Sequence, residues 1–183
     1  MKVSLSRVPH IATKISIDLN RSGLVTMTSG LEKVAHEAEK VLIESVKKEI
    51  ALEARVEEIV EDNEEQIDFY LADERQLFFM IKKKLAEEYG VILSYEERFS
   101  DLAHKILDEL YEEDLIHYDV SENRIKNVIY DSMTSYIADT NEIEAAVIET
   151  MDSYKRKIIP GTDEYEILFE KLYKEELTKR GMA

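Results

Sequence analysis

The chain has 183 residues, 44% hydrophobic and 35% charged, with a formal net charge of -16 and neither cysteine nor tryptophan. That composition excludes global disorder, disulfides, thiolate metal sites and cysteine nucleophiles. It also repels phosphate backbones at long range, so nucleic-acid binding would need a strong local basic patch. No apolar run approaches the ~18 residues of a bilayer span, and Met1 to Arg7 lead into no signal-like core, so a folded cytoplasmic protein is expected.

Five glycines and two prolines leave little turn punctuation, which points to long helices. The first helix is expected from Ser4 or Ser6 to Arg21, with Val8, Ile11, Ile15 and Leu19 as its apolar stripe. Pro9 falls in the first turn, where its missing amide costs no helical bond, and Gly23 stands where a left-handed cap is expected. Leu24 to Met27 is too short to decide between an apolar turn and one strand of a ribbon whose other strand would be Leu115 to Tyr118. Ser29 or Gly30 starts a second helix through about Ile50, and Lys48, Glu49 and Ile50 favour continuation. Val34, Ala38, Val41, Ser45, Leu52, Val56 and Ile59 hold nearly heptad phase, so Leu31 to Ile67 reads either as one long helix or as two.

A third helix is expected over about Asp73 to Tyr89, closed by Gly90, and Val91 to Leu93 make a short apolar linker. Ser94 and Glu97 form a capping box before the stripe Phe99, Leu102, Ile106 and Leu110. Ser121 starts a helix through about Ala138, which Asp139, Thr140 and Asn141 are expected to break before Glu142 to Lys157. Pro160, Gly161 and Thr162 make a turn and cap, and a last helix to Lys179 buries Tyr165, Leu168, Phe169 and Leu172 before Gly181 stops it.

Shifted by ninety-one positions the chain aligns with itself without gaps, and fifteen residues are identical, among them Arg7 with Arg98, Ile15 with Ile106, Val56 with Val147, and Phe78 with Phe169. The expected fold is all-α: a tandem duplication of a three- or four-helix unit, residues 1–91 and 92–183, packed into an elongated helical bundle. The charge is uneven, -5 through Val91 and -11 after it.

Reactive chemistry is sparse. His10, His36, His104 and His117 are never equivalent under the shift, which opposes a symmetric site. Asp101 and His104 have the spacing of a di-iron motif, but their counterparts His10 and Thr13 supply no second motif. Glu32, His36 and Glu37 do not complete a zinc-protease pattern, and the acidic run Glu57 to Asp68 reads as a solvated face. With no phosphate loop and no nucleophile elbow, the expectation is no enzyme and no cofactor; a carboxylate and histidine metal enzyme ranks third.

The second reading is a nucleic-acid-associated regulator with a helix-turn-helix-like element. It rests on Ile106 to Glu113 running into Leu115 and Ile116 before a new helix, and on the triplets Lys82 to Lys84 and Lys155 to Lys157. The helices that would enter a groove carry Glu32, Glu37, Glu39 and Glu44, or Glu122 and Asp131, so the charge pattern opposes it. Eight of the ten tyrosines follow Val91, and tyrosine suits both a wet-edged core and an interface.

The closing stretch with Ile158, Pro160, Gly161, Thr162, Glu164, Tyr165, Leu168, Phe169, Lys171, Tyr173, Glu175, Glu176, Leu177, Lys179, Arg180 and Gly181 resembles the C-terminal signature of bacterial domain-of-unknown-function family number five hundred and seven. Leu5, Arg7, Ile11, Ala12, Ile15 and Leu24, and again Glu97, Arg98, Leu102, Ala103, Ile106, Leu115 and Ile116, are similar to that family's N-terminal helix. The second half is the truer copy, since the first has Phe69 and Tyr70 in place of the Pro-Gly turn and Lys82 in place of Tyr173. The resemblance implies a helical bacterial cytoplasmic protein in a doubled form and lends no catalytic residue. The leading expectation is a non-catalytic interaction or scaffold protein with a protein partner. Pro160, Tyr165, Phe169, Tyr173 and Arg180 are the candidate surface, and a homo-oligomer is compatible with it.

Overall fold

The computed structural model describes residues 3–63, 73–154 and 156–180. Among them are six α-helices: α1 (Val8–Ser22), α2 (Leu31–Asp62), α3 (Glu74–Leu85), α4 (Tyr95–Glu112), α5 (Glu122–Asp152) and α6 (Asp163–Lys179). Two strands of two residues each, β1 (Thr26–Met27) and β2 (Ile116–His117), are the extended elements among the described residues. The protein is all-α.

Its compact units are Met1–Thr134 and Ser135–Ala183. This boundary of packing falls inside α5, whereas the repeat boundary at residues 91 and 92 marks a likeness between stretches of sequence.

In the first unit, α1 follows a 3-10 turn at Leu5–Arg7, has Pro9 in its first turn and ends on Gly23 at φ 65°. Only a residue without Cβ takes that left-handed conformation without cost. The helix buries Val8, Ile11, Ala12, Ile15, Ser16 and Leu19, and its main packing partner is α2.

α2 is continuous through Asp62, about 48 Å at 1.5 Å per residue. Residues 64–67, the end of the stretch in question, lie outside the described residues. Its stripe departs from the expected heptad phase: Leu42, Val46, Glu49 and Val60 are buried, and Val41, Ser45 and Ile59 are half-buried. Buried positions from Val34 onward advance by four, four, four, three, three, four and four, closer to the 3.6 of a straight helix than to 3.5.

The expected break at Asp139, Thr140 and Asn141 is corrected, because α5 runs through it to Asp152. The Thr140 hydroxyl donates to the carbonyl of Tyr136 at 2.7 Å, four residues back, so it is satisfied inside the helix rather than capping a new one. Thr140 is also only 2% exposed, and burial holds the backbone where propensity alone would release it.

The short apolar segments pair as an antiparallel ribbon, Thr26 opposite His117 and Met27 opposite Ile116. The Thr28 amide extends it by donating to the Leu115 carbonyl at 3.0 Å. Thr26 and His117 are themselves ninety-one positions apart, so the register is centred on corresponding residues.

Burial follows the same offset. Every buried residue of α1 has a buried counterpart in α4: Phe99, Leu102, Ala103, Ile106, Leu107 and Leu110. Val34, Ala38, Leu42, Val46 and Glu49 correspond to buried Ile125, Ile129, Met133, Ile137 and Thr140. Gly23 corresponds to Asp114, which at φ 56° is the one described non-glycine residue with positive φ. Left-handed backbone costs an L-residue about 1 kcal/mol or more. Asp114→Gly is therefore expected to raise stability by about 0.5–1 kcal/mol, read from the urea midpoint at constant slope.

Candidate interaction faces and a buried ion network

Two outer helices carry aromatic residues and bury none of their own. α3 begins at Asp73, whose carboxylate accepts from the amides of Arg75 and Gln76, and its Leu77, Phe78, Ile81 and Leu85 lie on Leu52, Val56, Val60, Ala86 and Val91. In the second unit α6 begins at Thr162, whose hydroxyl accepts from the Tyr165 amide at 3.3 Å. Its Tyr165, Leu168, Phe169, Leu172, Tyr173 and Leu177 lie on Ile143, Val147 and Met151. The two clusters correspond position by position, Leu52 with Ile143, Val56 with Val147, Val60 with Met151, and Phe78 with Phe169.

Four of the candidate surface residues fall together on α6 and its end. Tyr165, Phe169 and Tyr173 stack at four-residue intervals, ring centroids 6.1 and 6.0 Å apart, and each is half-buried against the α5 stripe. Arg180 donates to Glu176 at 3.1 Å and to Glu142 at 3.2 Å. Pro160 is exposed in the turn before the helix. Gly181, Phe69, Tyr70 and Lys155 lie outside the described residues.

The hydrogen bonds from Arg180 and Lys179 hold the Glu176 carboxyl below the usual glutamate value. A lowered folded value means that its contribution is full above the ordinary value of about 4.3 and lost as pH falls through the lowered one. Glu176→Gln is expected to lower the thermal midpoint at pH 7 and to leave it unchanged at acid pH, where wild type has lost the same interaction. A gap that persists under acid would refute the pairing.

The first unit also contains an ion network that the residue pattern alone did not bring together. Glu49, 4% exposed, accepts from Arg98 Nη1 at 2.7 Å, and Lys82 Nζ stands 3.7 Å from it. Lys82 donates to Glu53 at 2.7 Å. Arg98 also donates through Nε to the Ser45 hydroxyl at 3.2 Å and through Nη2 to the Ser45 carbonyl at 3.3 Å. Burial pushes the nearby Tyr95 phenol above its ordinary value, and the charge of Glu49 adds to the rise. Among the described residues, two cations and two carboxylates thus join α2 to α3 and α4. A legible signal existed: Glu49 occupies a position of the α2 apolar stripe, where an unpaired carboxylate would be costly.

The network answers part of the basic-patch question, since Lys82 is turned inward and only Lys83 and Lys84 of its triplet are exposed. His10, His36, His104 and His117 are all exposed, on separate segments. His104 lies 3.3 Å from Asp108, and Asp101 pairs with Lys105. Among the described residues no three metal-ligating side chains are grouped. A cleft of about 320 Å³ beside Arg98 is lined by Lys48 and Lys105, already paired with Glu44 and Asp101.

These features define an all-α protein whose outer helices are, among the described residues, covered on one face only. Among the described residues no helix is long and apolar enough to cross a membrane. The chain belongs to the family described as Protein of unknown function (DUF507), whose model matches residues 1–182. Comparison with curated proteins finds no match.

Proposed function

We propose that the protein is a non-catalytic interaction or scaffold protein of the bacterial cytosol, built by tandem duplication of a helical unit, and that its partners are proteins. The observation that carries this is the one-sided packing of α3 and α6, neither of which buries a single residue. Phe79 and Met80 on α3 are 57% and 59% exposed, and Ile167 on α6 is 71% exposed. Aromatic and apolar side chains left in water on ordered helices offer contact area, which binding can bury and catalysis does not need. The coincidence of buried positions at an offset of ninety-one supports the duplication. The surface formed by Pro160, Tyr165, Phe169, Tyr173 and Arg180 offers partner contacts through the wet edges of the ladder.

The test is affinity capture of the intact chain from native cells with mass spectrometry, beside a salt titration against labelled DNA and RNA. A protein enriched reproducibly over a mock capture is expected, with little nucleic-acid binding. Empty capture, or tight nucleic-acid binding that falls steeply with salt, overturns the proposal.

A further inference from the structure

We infer that the outer face of α3 is a docking site for an acidic amphipathic segment of a partner protein, with Phe79 and Met80 as apolar anchors and Arg75 and Lys83 as charge contacts. The inference rests on the interaction reading above and names its surface and partner class. Arg75, Phe79 and Lys83 follow at four-residue intervals, and Gln76 and Met80 lie beside them, opposite the face formed by Leu77, Phe78, Ile81 and Leu85. The anchor is held in place: the Phe79 ring meets Phe78 edge-on at 5.9 Å, and the Arg75 guanidinium sits 6.0 Å from its centroid.

The corresponding face of α6 has a different composition, although it keeps one exposed apolar residue, Ile167, where α3 has Gln76. Arg75, Phe79 and Met80 stand where α6 has Glu166, Glu170 and Lys171. Phenylalanine, methionine and arginine are enriched at interface cores, and glutamate and lysine are depleted there. On a chain of net charge -16, the exposed carboxylates of this stretch, Asp73, Glu74, Glu87 and Glu88, stand at its two ends, and between them a face that combines Arg75, Lys83 and Lys84 with two exposed apolar side chains complements carboxylates flanking an apolar anchor.

Other occupants fit less well. A second copy meeting face to face would set Arg75 and Lys83 against the same cations. An anionic membrane would gain only two apolar side chains while repelling the acidic remainder.

The deciding measurement uses the full-length chain and a labelled sixteen-residue helical peptide with leucines at i, i+4 and i+7 among glutamates, read by fluorescence anisotropy. Wild type is expected to bind, and Phe79→Glu/Met80→Lys, which installs the α6 pattern at exposed positions, to bind at least tenfold more weakly. Phe79→Leu is expected to retain binding, and far-UV circular dichroism to be unchanged in all three. No binding by wild type, or equal binding by the double variant, overturns the inference. So does preferential binding to phosphatidylglycerol vesicles, or a dimer in light scattering that the same substitutions dissolve. Partners captured equally by wild type and double variant would sink the α3 assignment alone, whereas empty capture by wild type sinks the interaction reading.

Discussion

Glu49→Ala is expected to cost about 3–5 kcal/mol of unfolding free energy, because it leaves the Arg98 guanidinium in a site where the arginine is 7% exposed. Arg98 would retain only its bonds to Ser45, and neither is to an anion. Lys82 would keep Glu53, so the loss centres on Arg98. The double variant Glu49→Leu/Arg98→Met is expected to regain most of that stability, since a buried pair replaced by apolar side chains of similar volume is often neutral or stabilising. Urea unfolding followed by circular dichroism measures both. If Glu49→Ala costs less than about 1 kcal/mol, the pair does not sit in a low-dielectric site.

Truncating the α1 and α4 stripes is expected to be nearly as damaging. Ile15 and Ile106 are both fully buried, and each Ile→Ala change removes three carbons and leaves a cavity, a loss of about 2–5 kcal/mol. Because the two positions correspond, similar losses are expected from each. Ile167→Ala on α6, at 71% exposure, is expected to stay within about 0.5 kcal/mol of wild type. Denaturant midpoints at constant slope would show the contrast, and an Ile167 loss equal to the Ile15 loss would contradict the one-sided packing of α6.

The candidate surface was only half legible in the residue pattern. Tyr165, Phe169 and Tyr173 could be read as one helical face, since four-residue spacing places them there whatever they touch. Phe79 and Met80 are not distinguished by the pattern, because an apolar pair adjacent to Leu77 and Phe78 looks the same in sequence whether it faces inward or outward. Only the orientation of α3 on α2, through Val56 and Val60, leaves them in water.

The order of residues by itself determined the helical class, the α1 and α4 stripes, the caps at Ser94 and Thr162, and the left-handed stop at Gly23. These depend on neighbours within a turn or two, where spacing and backbone chemistry act directly. Tertiary structure decided the continuity of α5 through Thr140, the pairing of Thr26 with His117, and the burial of Glu49. The cation that meets Glu49 lies forty-nine residues further along the chain, and the partner strand of Thr26 is ninety-one away. Local propensity carries no information at that range, so the outcome rests on which buried groups meet their partners when the helices pack.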